Sequence, residues 1–509
     1  MGGLAVAGRL AAAGASVRVF EKNAGAGGRV GEFEWGGHRW ETGASLLLLP
    51  DVYKETFAAI ENGDADDAPC LERVSPSYAI WFNSHAARGP VDLGGDRAAL
   101  TARLELEGEN VLARFDDYLV CAREYLRAGW PLFIEESVAG LSLVPRFLGN
   151  ALSGAWRWPL QSHDAALRRL FPDEPRMRAL CAFDDLYVGL SPYNAPSVFS
   201  LLAAIELDDA TSGPRPDAGV FYPMGGFGGV VRRLEAACLR RGVDFEFNAP
   251  IRRVVLDGRT AVGVEAEDGR FWEADHVVVN ADLTMAEPAL LGDKARETYN
   301  DKDYSTSSVT FLWAFNRTVP ALRHHNVFLA QDDEADDPFR KAWDFAFPTK
   351  PAASDPGLFH FYVCAPSKTD TSAAPPGAET VMVLVPVPGL ADDGSDDGAV
   401  DALVSTLRRR VLDRLEADAA CGPLEPCFER VIDPREWRGR LGLRRGAVFG
   451  LSHGLGQLAV FRPARRSSAV DNLSFVGAST RPGNGVPLVL TSARLLAEEL
   501  ERDLYLGND

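Results

Sequence analysis

The chain has 509 residues, more than one hydrophobic core usually supports, so at least two domains are expected. Apolar residues make up 46% and charged residues 25%, which excludes a disordered chain. The 53 Lys and Arg residues against 72 Asp and Glu residues give a net charge of −19. Nucleic-acid binding needs a basic surface, so this charge argues against a nucleic-acid partner.

The seven cysteines include no Cys-x-x-Cys pair. Neither a disulfide framework nor a structural zinc site is therefore predicted, and no metal is expected. No apolar run approaches the ~18–20 residues that a helix needs to cross a bilayer. The N-terminus also lacks the basic and apolar segments of a secretory signal.

The first residues predict a helix followed by a strand. Residues 2–13 (GGLAVAGRLAAA) are small and Ala-rich, and residues 16–20 (SVRVF) lead directly to Glu21. In a dinucleotide-binding βαβ unit the helix N-terminus faces the pyrophosphate, and an acid about 20 residues after the glycines binds the ribose. Gly2, Gly3 and Glu21 are therefore candidate cofactor contacts. The alternative is an Ala-rich helix of any other α/β protein.

The strand that opens such a unit, and the first glycines of its Gly-x-Gly-x-x-Gly motif, would precede Met1. That strand is central in its sheet. Without it the neighbouring strands would lose ladder partners, at ~1–3 kcal/mol for each unpaired backbone group. We therefore expect the natural chain to begin upstream of Met1.

A second glycine-rich segment follows. Residues 25–29 read GAGGR and residues 35–45 read WGGHRWETGAS. Backbone amides of a glycine turn approach a phosphate or ribitol closely, and a guanidinium pairs with phosphate. Gly28 and Arg29 are therefore candidate contacts, and a β-hairpin with glycine turns around the two tryptophans is the alternative.

Further α/β elements are predicted from hydrophobic periodicity and turn residues. Helices are predicted at residues 97–106, 111–128, 228–240, 403–417 and 486–500. Strands are predicted at residues 243–247, 251–256, 261–267, 271–274, 277–280 and 473–476, with Asp268-Gly269 as a hairpin turn.

Three longer motifs accompany the GGR turn and its preceding acid. They read DLYVGLSPYNAP at residues 185–196, GVFYPMGGF at 219–227 and NLSFVGASTRPGNGVP at 472–487. Together they resemble the bacterial and fungal phytoene desaturase family of FAD-dependent oxidoreductases. The resemblance covers nearly the whole chain, and the last motif is the most specific because it is long. Arg481 departs from the fungal pattern, which usually has histidine.

The resemblance implies an α/β fold with a discontinuous Rossmann-like FAD-binding domain and an α+β substrate domain, the amine-oxidase and phytoene-desaturase architecture. The FAD-binding parts are expected at residues 1–75, 220–295 and 435–509. The substrate domain is expected at residues 76–219 and 296–434. A flavin between the two domains agrees with the general position of cofactor pockets.

The resemblance also implies flavin neighbours in the second half of the chain. The backbone of Val254 is expected near adenine, and Gly477, Gly485 and Val486 are expected near the flavin ring. A helix N-terminus at Val486 would stabilise negative charge on the reduced ring by ~0.3–1 kcal/mol. The alternative is structural: a buried strand, a cap and a tight turn.

The implied reaction removes a hydride and a proton from phytoene or a later carotene, with FAD as the hydride acceptor. Asp184 and Asp185 are candidate proton acceptors, with solvated or capping acids as the alternative. His453 is a further candidate catalytic residue, and a structural role for it and for Arg462 is equally open. Candidate channel or core aromatics are Tyr187, Tyr193, Phe199 and Trp313.

Two rivals stay open beside the desaturase. One is a carotenoid cis–trans isomerase that uses reduced FAD without net redox change. The other is a non-catalytic carotenoid-binding paralogue. An amine oxidase is disfavoured because the motifs are those of the polyene family. The oligomeric state, the number of desaturation steps and the electron acceptor are open.

A lipophilic carotenoid substrate partitions into bilayers, so peripheral membrane association is expected, with the cytoplasmic or plastid side undetermined. Residues 132–160 are rich in Trp, Phe and Leu and are punctuated by Arg. This pattern is typical of a helix in the interface plane, and an amphipathic core helix pair is the alternative.

Deleting residues 142–158 should release the protein from liposomes, because it removes the apolar and basic side chains of this stretch. Co-sedimentation with vesicles measures the effect. Unchanged binding of the deletion variant would assign the membrane contact to another part of the chain.

Overall fold

The computed structural model describes residues 1–63, 68–82, 89–131, 161–207, 218–295, 299–330, 337–348, 356–419 and 422–505. Its helices are α1 (Gly2–Ala12), α2 (Pro50–Ile60), α3 (Arg97–Leu104), α4 (Val111–Trp130), α5 (His163–Leu170), α6 (Pro175–Ala182), α7 (Asp185–Val188), α8 (Leu201–Glu206), α9 (Gly226–Arg240), α10 (Leu283–Leu291), α11 (Pro338–Ala346), α12 (Val400–Asp418), α13 (Pro434–Leu441) and α14 (Val486–Tyr505).

The strands of the first half are β1 (Arg18–Glu21), β2 (Glu32–Trp35), β3 (His38–Glu41), β4 (Leu71–Arg73), β5 (Tyr78–Phe82), β6 (Val91–Leu93), β7 (Phe221–Pro223), β8 (Asp244–Phe247) and β9 (Ile251–Asp257). Those of the second half are β10 (Thr260–Ala266), β11 (Phe271–Glu273), β12 (Val277–Val279), β13 (Ser307–Phe315), β14 (His325–Leu329), β15 (Phe361–Cys364), β16 (Glu379–Val387), β17 (Phe428–Ile432) and β18 (Leu473–Phe475).

One layer combines parallel strands with four helices. β1 pairs in parallel with β8, and β12 pairs in parallel with β18. Helices α1, α2, α9 and α14 share one apolar core. A Cβ on Gly8 of α1 would lie 2.6 Å from Ile60 Cδ1 and 3.0 Å from Cys238 Sγ, so the small residue lets α2 and α9 approach closely. Parallel strands with packed helices confirm the predicted α/β class.

The predicted elements of this layer are observed close to their expected bounds. The N-terminal helix ends at Ala12, and the strand after it ends at Glu21 as expected. β9, β10 and β11 form an antiparallel meander. Gly269 in the turn between β10 and β11 has a φ of +87°, the conformation that makes Asp-Gly a hairpin signal.

A second layer is a seven-stranded sheet in the order β17-β13-β16-β15-β14-β5-β6. All of its pairs are antiparallel except β5 with β14. Side chains alternate across it: Phe311 and Trp313 face the core under α12, whereas Leu312 faces the core around Trp40. The sheet is therefore buried on both faces.

Trp40 of β3 joins the two layers. Its side chain is fully buried. Its indole Nε1 donates to the carbonyl oxygens of Trp313, 3.2 Å away, and Val381, 3.1 Å away. The glycine-turn hairpin that the sequence offered as an alternative is real, with β2 and β3 paired through Gly36 and Gly37. This hairpin docks onto the second layer.

Two expectations concern the chain as a whole. The domain boundaries stay a prediction, and the stretch at residues 132–160 lies outside the described residues. Among the helices that the structure describes, none combines the length and the apolarity needed to span a bilayer.

Substituting Gly43 by Ala should destabilise the protein, because an ideal Cβ there overlaps the carbonyl oxygen of Arg29. Backbone atoms cannot rotate away as a side-chain tip can, so we expect a loss of about 1–3 kcal/mol of unfolding free energy. Denaturant unfolding measures it.

The matched control is Gly25→Ala in the same glycine-rich segment. Its Cβ would meet nothing within 4 Å, so its unfolding free energy should stay within about 0.5 kcal/mol of wild type. Equal stability of the two variants would show that the Gly43 contact is not tight in solution.

Candidate flavin and substrate site

Asn280, directly after β12, joins two of the predicted cofactor segments. Its side-chain Oδ1 accepts a hydrogen bond from the Gly3 amide at 2.9 Å, and its Nδ2 donates to the Val476 carbonyl at 2.7 Å. A Cβ on Gly2 would lie 2.9 Å from Asn280 Nδ2, and one on Gly477 would lie 3.7 Å from it. The start of α1 and the end of β18 therefore meet at one amide.

Arg29 of the GGR turn contacts two distant segments of the chain. Gly28 has a φ of +60°, and a Cβ there would point into open space. Arg29 donates through Nη1 to the Val448 carbonyl at 3.3 Å, and its Nη2 lies 4.0 Å from Asp282 Oδ2, with 27% of the side chain exposed. Burial lowers the pKa of Arg29, and the Asp282 carboxylate opposes that shift.

Asp282 also accepts hydrogen bonds from two segments of the chain. Its Oδ2 accepts from Ser479 Oγ at 2.9 Å, and its Oδ1 accepts from the Thr284 amide at 3.2 Å as the N-cap of α10. Neither Asn280 nor Asp282 was among the predicted site residues. The available signal was their position after a buried parallel strand, the edge of a sheet at which ligands bind.

Glu21 and Val254 occupy the predicted elements. Glu21 ends β1, and its Oε1 accepts from the amide and the side chain of Asn23 at 2.8 and 2.7 Å. Val254 is buried in β9 beside Val277 and Val279. Both positions satisfy the structural alternative, and the ribose and adenine contacts stay predictions.

The loop before α14 leaves space where the resemblance expects the flavin. Gly485 is exposed with a φ of +97°, and a Cβ there would meet no atom within 4 Å. Val486 is the first residue of α14, and Pro487 follows in the first turn, where a missing amide costs no hydrogen bond. The first amides of a helix of 20 residues therefore border an open surface.

Arg462 holds this loop against a second one. The residue is 1% exposed, and within the described part of the chain its guanidinium donates to five backbone carbonyls. The five acceptors are Leu451, Ser452, Gln457, Ala478 and Thr480. Burial lowers the pKa of Arg462 to about 9, so the group stays charged at neutral pH. The structural role that the sequence left open for Arg462 is confirmed.

His453 lies beneath the loop and is fixed as a hydrogen-bond acceptor at one nitrogen. Its Nε2 accepts from the Asn484 amide at 3.2 Å, and a Cβ on Gly483 would lie 2.5 Å from it. Burial, with the charge of Arg462, keeps the pKa of His453 well below its usual range. The neutral ring then carries its proton on Nδ1, which is buried and has no hydrogen-bond partner among the described residues.

Asp184 belongs to a buried group of acids and a phenol. Tyr187 Oη lies 3.0 Å from Asp184 Oδ1 and 2.5 Å from Glu206 Oε1. A phenol has one proton to donate, so both contacts are hydrogen bonds only when one of the acids is protonated. Burial raises the pKa of Asp184 to about 7 and that of Glu206 well above its usual range. The pair therefore shares a proton near neutral pH.

Asp185 has a different partner. Its Oδ2 lies 3.0 Å from His163 Nδ1, and His163 Nε2 lies 3.1 Å from Ser200 Oγ. Burial lowers the pKa of His163, but the Asp185 carboxylate outweighs it and the net shift is upward. Both aspartates are buried, so the solvated alternative is wrong, and Asp184 stands at the N-cap position of α7 without a capping hydrogen bond from its side chain. Sequence reasoning missed Glu206 and His163, because no local pattern marks either one.

Asn484 connects the acid group to the loop before α14. Its amide donates to His453, and its Nδ2 donates to the Tyr187 carbonyl at 3.4 Å. Phe199 packs edge-on against His453 at 6.2 Å between ring centroids. Trp313 instead lies fully buried in the core under α12, where its Nε1 donates to Glu429 at 2.5 Å. Trp313 is thus a core residue rather than a channel residue.

These surroundings fit a flavin dinucleotide. Glycines at positions 28 and 485 leave open surfaces beside Arg29 and the N-terminus of α14. The unpartnered Nδ1 of His453 supplies a buried donor beside the same loop.

Comparison with known proteins identifies the family of the chain. The family described as flavin containing amine oxidoreductase matches residues 1–500. The chain is 35% identical to a zeta-carotene-forming phytoene desaturase of Myxococcus xanthus over 98% of its own length and 92% of that protein. It is 32% identical to a phytoene desaturase of Neurospora crassa, with 100% and 84% covered, and 31% identical to a carotenoid 3,4-desaturase of Haloarcula japonica, with 99% and 97% covered.

Solved structures share the fold at low sequence identity. A redesigned putrescine oxidase superposes with a TM-score of 0.64 at 15% identity, covering 99% of this chain and 97% of that one. An oxidoreductase from Methanosarcina mazei gives a TM-score of 0.61 at 15% identity, with 98% of each chain covered. The predicted amine-oxidase architecture is therefore confirmed. With its family match and near full-length relatives above 30% identity, this chain belongs to the flavin-containing amine oxidoreductase family, in the group of the phytoene desaturases.

Proposed function

We propose that this FAD-dependent oxidoreductase desaturates phytoene or a later carotene at a CH–CH pair. The observation that carries the proposal is the buried pair of Asp184 and Glu206, joined by the Tyr187 hydroxyl beside the loop that precedes α14. The names of the relatives, which are phytoene and carotenoid desaturases, support the choice of substrate.

The residues proposed to hold FAD are those of the described open surfaces. Gly28 and Arg29 would take the phosphates, Glu21 the ribose, and Gly485 with the first amides of α14 the ring. Bound FAD supplies the hydride acceptor of the reaction. The chain itself then has two tasks, which are to orient a hydrocarbon and to accept a proton.

Asp184 is the proposed proton acceptor. A base works best when its pKa is close to the working pH, and burial brings the pKa of Asp184 to about 7. Tyr187 hydrogen-bonds both acids, and burial raises the pKa of Glu206 well above its usual range, so Glu206 holds the resting proton and Asp184 is left as the acceptor. His163 holds Asp185 beside this pair, which keeps a charged neighbour in a fixed place.

We also propose peripheral membrane association. A hydrocarbon substrate reaches a protein from the bilayer in which it dissolves. The support in the chain is the Trp-, Phe- and Leu-rich stretch of residues 132–160.

Expression in phytoene-accumulating cells should yield carotenes with two hydrogens fewer for each step. Chromatography with mass spectrometry measures the products. Products of unchanged mass but altered double-bond geometry would indicate the isomerase, and unchanged pigments from a flavin-free protein would indicate the binding paralogue. Either result would refute desaturation.

Asp184→Asn should lower kcat/KM by about 10²–10⁴-fold, because the amide cannot accept the proton. In wild type kcat/KM should rise with pH through about 7, the pKa of Asp184, and this limb should disappear in the variant. The control is Asp164→Asn, whose carboxylate pairs with Arg168 on the surface of α5. Wild-type rates and an unchanged pH profile in Asp184→Asn would exclude the role.

The same variant separates catalysis from folding. An acid with a raised pKa stabilises the fold when protonated, and this stability is present below about pH 4 and is lost as pH rises through about 7. Asp184→Asn keeps a neutral side chain at every pH, so it should be relatively more stable than wild type at pH 8. Reduced FAD content at that pH would point to a structural defect instead.

A further inference from the structure

Two histidines and a cysteine meet in the interior of the seven-stranded sheet. The register of β14 with β15 places His325 directly opposite Cys364, and His324 immediately precedes β14. One potential ligand atom from each of the three residues lies within 4.8 Å of the other two. All three side chains are at most 3% exposed. None of them belongs to the flavin surfaces or to the acid pair.

Each imidazole of this cluster has one nitrogen in use and one without a partner. His324 Nδ1 lies 2.6 Å from Thr369 Oγ1, and His325 Nδ1 lies 2.6 Å from Tyr362 Oη. The Nε2 atoms of both rings are buried and make no hydrogen bond to any residue that the structure describes. Leaving a buried polar atom unpaired costs ~1–3 kcal/mol, so two at one place point to a ligand.

His360, in the same layer, is a buried histidine with a hydrogen-bond partner at both ring nitrogens. It is equally buried, but its Nδ1 accepts from the Ala330 amide at 3.0 Å and its Nε2 lies 3.2 Å from the Phe339 carbonyl. Burial alone therefore does not leave ring nitrogens unpaired in this sheet.

We propose that His324, His325 and Cys364 form a buried binding site for one Zn²⁺ ion. Imidazole nitrogen and thiolate sulfur are ligands that Zn²⁺ prefers. A metal-bound histidine normally donates its other N–H to an oxygen, and the hydroxyls of Thr369 and Tyr362 stand at that position for the two rings. Three protein ligands leave one position of a tetrahedral shell to another donor.

Metal binding requires an unprotonated nitrogen on each histidine and a thiolate on the cysteine. Binding converts the Cys364 thiol into a metal-bound thiolate and releases its proton to solvent.

Glu41 is a buried acid near the site. Its Oε1 accepts from Tyr222 Oη at 2.7 Å, and the Tyr222 ring lies 4.7 Å from the His324 ring. Its Oε2 is buried, and no hydrogen bond reaches it from the residues that the structure describes. In its ionised form Glu41 would, with the Cys364 thiolate, offset part of the charge of a bound divalent cation.

The site would tie the sheet to the loop that precedes α2. Tyr362 Oη, which holds His325, also lies 3.0 Å from Ser45 Oγ. The ion is therefore placed to stabilise the junction between the two layers, and the proposal does not depend on which substrate the enzyme takes.

Metal analysis of the purified full-length protein with bound FAD tests the site. After equilibration with Zn²⁺ and removal of free metal, we expect one tightly held Zn²⁺ for each chain. Zinc K-edge absorption should show one sulfur near ~2.3 Å and nitrogens near ~2.0–2.1 Å. Zinc without a sulfur neighbour, or no retained zinc, would refute the proposal.

Variants separate the site from surface binding. Cys364→Ser and His325→Asn should lose the zinc, whereas Cys181→Ser, in a different core cluster, and His360→Gln should keep it. FAD content and thermal unfolding identify variants that fail to fold. If the first two variants do not fold, the wild-type absorption spectrum decides alone. Equal zinc content in Cys364→Ser and wild type would overturn the assignment.

Discussion

The buried charge of Arg462 is the interaction on which the cofactor side of this protein depends. A guanidinium is expensive to bury, and here five backbone carbonyls take the place of water, while the Asp282 carboxylate favours the charged form. Those carbonyls come from two loops, so neither loop can move without exposing the charge. His453 lies in one loop and Asn484 in the other. Because both loops are fixed by Arg462, the hydrogen bond between these two residues is fixed as well.

Local features of the fold were predictable because their causes are local. The small residues of α1, the strand that ends at Glu21 and the Asp-Gly turn between β10 and β11 each follow from a short stretch of sequence. The glycines of the cofactor motifs were predictable for the same reason. At Gly28 and Gly485 the backbone conformation and the open space explain why glycine stands there.

The polar clusters were not predictable, because their members meet only through the register and packing of distant segments. Glu206 and Asp184, which are 22 positions apart in the sequence, both contact the hydroxyl of Tyr187. His325 faces Cys364 only because β14 and β15 pair in one register. A search for Cys-x-x-Cys spacing cannot detect such a group. Likewise, the sequence marks Asn280 only as the residue that ends an apolar strand. Its two hydrogen-bond partners, Gly3 and Val476, lie near opposite ends of the chain.

Exclusion of water from the protein interior explains why these clusters suit a hydrocarbon substrate. Burial moves the pKa of Asp184 and Glu206 upward and that of His324, His325 and His453 downward, so each of these groups is driven toward its neutral form. The charges that persist are compensated, as at Arg462. An interior of this kind exposes little charge to an apolar chain, yet it keeps an acid whose protonation is balanced near neutral pH. Proton acceptance and hydrocarbon binding therefore require the same property, exclusion of water.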